Sequence, residues 1–471
     1  MTGKRKAALA LAFIIVVLAG ALLYKVKERR DGVALAAEAY LYAMPLVLMD
    51  VTREETFKHP AARAAEPNRM YNIPILADAR FRTVIRPNVD TLYSIAWLRL
   101  EQEPLVLTVP ANEGRYFVVQ FMDAWTNVFA APGIRTLGDR PARFFIVGPD
   151  YKGETPGGME RIVAPTDMVW ILARVHARDN ADLRAAQVLQ HRIDLRPLSR
   201  LGDGGFGPIL PDPAGRDAKR SEPLEIVRAM DTSEFFRRFI ALTAKNPPAP
   251  ADAPFIGRVL EPLGLSPAKP LSWHRLPADT RRQLERGKTA VWKVLTERAA
   301  VEKSRTPTGW AGFEAVGKIG AYGTDYKTRA GVAAFGLAAN LPQDAVYLNA
   351  SVDGEGRDLE GGKAYRLRFA AGETPPVRGF WSITLYDREG YLVEHPLQRY
   401  AIKQFDPLVY EPDGSLILHI QPDDPGPARR ANWLPSPKSG RFVLSLRAYW
   451  PDRRILERDW MPPGLERDGD R

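Results

Sequence analysis

Two stretches of the chain, residues 91–175 and 344–449, consist of short runs rich in β-branched and aromatic residues, separated by turns carrying Gly, Pro, Asn or Asp. In the first stretch, residues 91–98, 105–109, 116–122, 144–147, 161–164 and 168–175 read as strands. In the second, residues 365–369, 380–386, 416–420 and 442–449 do. Short strands at turn-marked spacing predict a sandwich or jelly roll. Between the stretches the period changes. Phe235, Phe239 and Leu242 recur at helical spacing, as do Leu284, Val291 and Leu295, which predicts a mostly helical connecting region. Residues 33–49 predict an amphipathic helix interrupted at Pro45, with Tyr40, Met44 and Leu48 on one face. Residues 182–195 predict a further helix, and the polar residues from Asp459 predict a frayed tail.

The two β stretches echo each other in order. Asp90-Thr-Leu-Tyr-Ser-Ile-Ala is answered by Asp344-Ala-Val-Tyr-Leu-Asn-Ala, and the run ending at Asp123 by the run ending at Asp387. Phe144-Phe-Ile-Val matches Leu416-Ile-Leu-His, and the strand ending at Arg174 matches the one ending at Arg447. Four matches in sequence predict an internal duplication of a β unit. Positions shared by both copies (Asp90/Asp344, Tyr93/Tyr347, Asp123/Asp387, Arg174/Arg447) then read as serving the fold. Residues present in one copy read as site candidates: Arg86, Asn88, Trp125, Asn127 and Arg135 in the first, Trp381, His395 and Trp433 in the second.

An uncharged run from Ala7 to Tyr24 is long enough to cross a bilayer and is flanked by basic residues on both sides. It predicts a single-pass inner-membrane anchor with the bulk of the chain in the periplasm. The alternative is a cleaved signal peptide, with Ala19-Gly-Ala21 as the cleavage site and a secreted product. The formal net charge of +10 is shared between this segment and the remainder, and no basic stripe with interleaved aromatics points to nucleic acid. The chain has no cysteine, which excludes disulfides, thiol catalysis and thiolate metal sites. Its six histidines are scattered without metal-ligand spacing, so neither a metal nor a cofactor is expected. There is no Gly-x-Ser-x-Gly and no Gly-rich phosphate loop. Residues 353–358 resemble a calcium loop loosely but lack its spacing, and read as a hairpin turn.

Arg86-Pro-Asn-Val-Asp-Thr-Leu-Tyr93 is the most organised stretch: a proline-asparagine turn that presents Arg86, Asn88 and Asp90 at the mouth of a strand. With Tyr42-Ala-Met-Pro45, Gly114-Arg-Tyr116, Met122-Asp-Ala-Trp125 and Gly148-Pro149, it makes residues of about 35–200 resemble the bacterial family of unknown function DUF1254. Residues of about 340–460 resemble its usual partner DUF1214, through Phe380-Trp-Ser-Ile-Thr-Leu-Tyr-Asp387, Asn432-Trp-Leu-Pro435 and Tyr449-Trp-Pro451. The resemblance implies two jelly-roll-like β-sandwich units and carries no established chemistry. His395 stands where similar proteins carry asparagine before a proline.

The expected architecture is mainly β with a helical insertion (α+β): an anchor or signal segment over 1–31, a β-sandwich over 33–200, a helical connection over 201–335, a second sandwich over 336–460 and a tail over 461–471. Two functions follow. One is a ligand-binding or assembly module of the cell envelope, holding a small-molecule or envelope ligand over Arg86, Asn88, Tyr93, Trp125, Asn127 and Arg135, with Trp381, His395 and Trp433, in a chain able to form a homo-oligomer. The other is a hydrolase or lyase on a small or anionic substrate, with Asp90 and Asp123 as its acid/base pair.

Overall fold

The computed structural model describes residues 31–62, 65–82, 85–204, 206–212, 222–267, 269–300, 307–312 and 316–468. The expected anchor at Ala7 to Tyr24 lies outside the described residues. Among these residues eighteen strands form four sheets. The first nine are β1 Tyr71–Ile73, β2 Thr91–Arg99, β3 Leu105–Val109, β4 Phe117–Asp123, β5 Val128–Ala130, β6 Ala142–Val147, β7 Glu160–Val163, β8 Met168–His176 and β9 Asp194–Pro197. The second nine are β10 Trp310–Ala311, β11 Ala345–Ala350, β12 Tyr365–Phe369, β13 Val377–Asp387, β14 Ala401–Lys403, β15 Leu416–Gln421, β16 Trp433–Pro435, β17 Phe442–Pro451 and β18 Glu466–Arg467.

The first nine strands make a five-stranded sheet ordered β1-β2-β8-β4-β5 and a four-stranded sheet ordered β7-β6-β3-β9. The second nine make sheets ordered β10-β11-β17-β13-β14 and β16-β15-β12-β18, the same orders strand for strand. Register agrees as well. Arg174 on β8 lies opposite Tyr93 on one side and Val118 on the other, and Arg447 on β17 lies opposite Tyr347 and Ser382. Pairing is antiparallel except for β6–β7 and β15–β16, which are parallel and set each four-stranded sheet apart from an antiparallel jelly roll.

Within each unit the two sheets face each other over an apolar core. In the first, Leu92, Ala96, Phe117, Val119, Ile171 and Ala173 meet Leu105, Leu107, Phe144 and Ile146. In the second, Leu348, Trp381, Ile383 and Leu446 meet Tyr365, Leu367, Leu416 and Leu418. Alternation along each strand explains this division: odd residues of β2 point away from the core that Leu92, Ala96 and Leu98 enter.

The helices cover what the sandwiches leave. Helix α1, Asp31–Lys58, runs through Pro45 without interruption, and residues 42–52 are buried on every side. The expectation of an amphipathic helix broken at Pro45 is therefore corrected: a segment apolar all round is enclosed all round, and packing outweighs the one backbone hydrogen bond that proline removes. Among the described residues α1 is the one helix long and apolar enough to cross a membrane, and 61% of that apolar window is buried inside the protein. It is packed as a core helix. One side meets Trp97, Met122 and Trp170 on the first five-stranded sheet through Met49. The other meets α2 Pro223–Ala229, α3 Thr232–Thr243 and α4 Ala278–Ala300 through residues such as Tyr40, Phe235, Phe239 and Leu284. Gly287 on α4 is needed there, because a Cβ would lie 2.6 Å from the Ala36 carbonyl carbon. Arg238 on α3 pins α1 through Asp50 and Glu54. Helix α5, Tyr326–Gly336, leads back to the second unit.

Three further expectations change. The helix near residue 182 ends at Arg192 and gives way to β9. The connecting region donates β10 to the second unit. The tail does not fray where expected: Trp460 and Leu465 are buried, and β18 pairs with β12. Asp353 spends its oxygens on the amides of Glu355 and Arg357 and on the Arg357 side chain, as a hairpin turn requires.

Candidate functional site

The outer faces of the two five-stranded sheets meet in a layer that is polar and buried. Sequence periodicity places Thr91, Tyr93, His176 and Arg174 on one face and Tyr347, Ser382, Arg447 and Tyr449 on the other. Ring contacts cross the layer: Tyr116 lies 5.2 Å from Tyr449, and His176 stacks on Phe380 at 3.7 Å.

Asp90 sits at the lead-in to β2 and is fully buried. Its Oδ2 accepts hydrogen bonds from Ser382 (2.6 Å) and Tyr449 (3.1 Å), and Lys403 Nζ stands 3.6 Å from Oδ1. Burial alone would raise this carboxyl. Lys403 and Arg447 outweigh it, with the Ser382 bond, and hold the group below the ordinary carboxylate range. Asp344, the counterpart in the second unit, is gripped by both arms of Arg135, at 2.6 and 3.0 Å. Each unit thus hands a cation to the other unit's aspartate.

The layer's other two cations have no carboxylate of their own. Arg174 donates to Gln120 (3.2 Å) and to the Ala338 carbonyl (2.8 Å), and its Nε has no hydrogen-bond partner among the described residues. Arg447 donates to Thr384 (2.7 Å), the Arg86 carbonyl (3.2 Å) and the Tyr386 hydroxyl. Gln120 and Thr384 hold the same register, two positions along from the arginine on the neighbouring strand. Ala338 and Arg86, which present the accepting carbonyls, both have positive φ, at 68° and 54°. Both guanidinium groups hydrogen-bond only to neutral acceptors, and the one carboxylate that Arg447 acts on, Asp90, is shared with Lys403, so the layer keeps surplus positive charge. Tyr93 and Tyr347 flank the two guanidinium groups and are half-buried. Tyr93 lies 5.3 Å from the Arg174 guanidinium carbon. Burial pushes the Tyr347 hydroxyl up to about 12 despite Arg174. Burial also depresses His176 to about 3, so its ring is neutral, and its Nε2 has no partner among the described residues.

The site residues expected from sequence separate into groups. Arg86, Asn88, Asp90, Tyr93 and Arg135 do come together in this layer. Asn88 caps its turn by accepting from the amides of Asp90 and Thr91 and also donates to Tyr449 across the layer (2.8 Å). Asp123, Trp125 and Asn127 lie at the far end of the sheet. Thr91 pairs opposite His176 and Asp123 opposite Val169, seven residues apart on β8, so the two aspartates are about 23 Å apart. They cannot act as an acid/base pair. Asp123 accepts from the amides of Trp125 and Asn127 and from the Asn127 side chain, and Asp387 holds Tyr391 by the same turn. Trp381 points into the second sandwich core, against Phe369. Trp433 belongs to edge strand β16, where His395 meets it edge-on at 5.6 Å.

Arg174 and Arg447, which the sorting by copy assigned to the fold, lie at the heart of the layer. The missed signal was a charged residue inside an otherwise apolar strand, in Trp170-Ile-Leu-Ala-Arg174 and Phe442-Val-Leu-Ser-Leu-Arg447. Lys403 had no comparable signal, since a lysine ending a short strand is ordinary.

Comparison with known proteins bears on the fold. Residues 67–197 match the family described as "Protein of unknown function (DUF1254)", and residues 344–453 match "Protein of unknown function (DUF1214)". No curated protein matches the chain. The crystal structure of the VPA0106 protein from Vibrio parahaemolyticus is similar over 93% of this chain and 99% of its own, with a TM-score of 0.66 at 23% identity. An uncharacterised protein from Burkholderia cenocepacia covers 94% of this chain and 95% of its own, but at 11% identity and a TM-score of 0.44 it is too distant to carry an argument. The chain is a protein of the paired DUF1254 and DUF1214 families, with one domain on each β unit.

Proposed function

We propose that this chain is a ligand-binding protein of the cell envelope, and that a small anionic ligand is held at the joint between its two β-sandwiches. Arg174 and Arg447 supply the charge, and Tyr93 and Tyr347 the half-buried walls. The observation that carries this reading is the pair of buried guanidinium groups with no carboxylate hydrogen-bonded to either of them. Buried charges are ordinarily matched, and an unmatched pair is stabilised by an anion. Asp90–Lys403 and Asp344–Arg135 are matched already and serve as the latch between the units. A membrane anchor at Ala7 to Tyr24 and a periplasmic location belong to the same reading, supported by the apolar run and its basic flanks. The repeated strand orders and registers support an origin of the two units by duplication.

The test is anion-linked stability of the full chain at constant ionic strength. Acetate, succinate and phosphate are titrated against urea unfolding. At least one is expected to stabilise saturably, by about 1–3 kcal/mol at saturating concentration, and Arg174→Gln is expected to abolish the gain. Equal, non-saturating responses in both proteins would overturn the proposal.

A further inference from the structure

A second buried arginine environment lies away from the joint. Arg329 on α5 is 2% exposed. Its guanidinium carbon stands 5.3 Å from the ring centre of Tyr42, 5.2 Å from Trp125 and 5.1 Å from Tyr326. Three aromatic faces stabilise a cation but accept no conventional hydrogen bond, and Nε and Nη2 have no partner among the described residues. The two nearby carboxylates are engaged elsewhere. Asp252 accepts from Tyr42 (2.9 Å) and Tyr326 (2.8 Å), and Asp123 is bound by its own turn. Neither forms an ion pair with Arg329.

Beside this box is a cleft of about 600 Å³ whose border carries Phe255 and Tyr326, the cations Arg258 and Lys327, and the carboxylates Glu38 and Asp325, which are paired with Arg258 and Lys318. A volume of that size accommodates a small organic molecule. Tyr326 belongs to both: it lines the cleft, and its ring is one wall of the box. Tyr42 and Trp125 are fully buried, whereas Tyr326 is half-buried, so of the three rings around Arg329 it is Tyr326 that also faces the cleft. Phe255 and Tyr326, with ring centres 4.5 Å apart, offer an apolar aromatic wall.

We propose that this cleft binds a small carboxylate with an apolar or aromatic body, the body lying on Phe255 and Tyr326 and the carboxylate accepting from Arg329. The Tyr326 hydroxyl leaves Asp252 as the ligand settles. This site is independent of the joint between the sandwiches, so either can fail without the other.

Benzoate is the probe and benzamide its neutral control, each titrated calorimetrically into the full chain. Benzoate is expected to bind at one site, at least about tenfold more tightly than benzamide. Arg329→Gln should lose about tenfold or more in benzoate affinity, while Tyr326→Phe, freed of its bond to Asp252, should bind benzoate at least as tightly as the parent. A soaked crystal should place the carboxylate beside Arg329, a result that does not depend on whether Arg329→Gln folds. The proposal is overturned if benzoate and benzamide bind alike, if benzoate fails to bind the parent at about 10 mM, or if Arg329→Gln retains parental affinity.

Discussion

Asp90 and Asp123 occupy opposite ends of one five-stranded sheet, are both almost fully buried, and are held in opposite ways. At the Asp90 end the second sandwich brings Lys403, Arg447, Ser382 and Tyr449, and the carboxyl is drawn below its ordinary range. At the Asp123 end the helices bring aromatic rings. Burial there dominates, opposed by hydrogen bonds from Asn127 and by the more weakly acting charge of Arg329, and raises the group to about 6. Depth of burial is nearly equal, so it does not decide the charge. What the neighbouring element presents decides it. One end of the sheet is a joint made with charge, and the other is a joint made with rings.

The comparison breaks most severely at Lys403. Lys403→Met leaves Asp90 buried without its nearest cation and should cost about 3–5 kcal/mol at pH 8. Below the ordinary carboxylate range the cost should shrink, because Asp90 then takes up a proton. Urea unfolding at the two pH values checks this; equal losses would mean that Lys403 does not compensate Asp90.

Asp123 should respond in the opposite sense. Its folded pKa lies above the unfolded value, so between about pH 4 and 6 the folded state retains a proton that the unfolded state has released. Stability from this group is present below that window and is lost as pH rises through it, by up to about 3 kcal/mol for a shift of this size. Asp123→Asn should flatten this part of the pH–stability curve. His176, depressed to about 3, acts the other way: its contribution is lost as pH falls from about 6.5. An unchanged curve in Asp123→Asn would mean that the carboxyl is not the group responsible.

Arg135→Ala strips Asp344 of its bidentate partner. Because Arg135 is 27% exposed, water can reach the gap, and the loss should be smaller, about 2 kcal/mol. A loss as large as that of Lys403→Met would erase the difference between the two latches. The smallest effect is expected for His395→Asn, within about 0.5 kcal/mol by thermal unfolding, since His395 is part-exposed at an edge and its side chain makes one weak amide hydrogen bond beside its edge-on contact with Trp433.

Much of this architecture was legible in the sequence. Strand runs and the helical interlude follow from local alternation, and the echo that matched Tyr93 with Tyr347 and Arg174 with Arg447 recurs in the observed strand orders and registers. The joint itself was half legible. The turn at Asn88 announced a bound backbone, but nothing local shows that Tyr449, some 360 residues on, would receive its amide. Asp90 and Asp123 looked alike because sequence gives residue type and spacing, while their separation comes from pairing opposite ends of β8. α1 was misjudged at Pro45 because the cost of proline is local and the enclosure that offsets it is tertiary. Short strands such as β10 and β18 carry too few residues to show a period; only the sheet edge they complete defines them.

The most direct measurement is native mass spectrometry of the full chain purified gently from its own host, beside Arg174→Gln and Arg447→Gln. The account predicts an additional mass from a small anionic molecule on the parent, lost on denaturation and depleted in both variants. A parent free of any bound molecule, or one whose bound molecule persists unchanged in both variants, would contradict a ligand site at the joint.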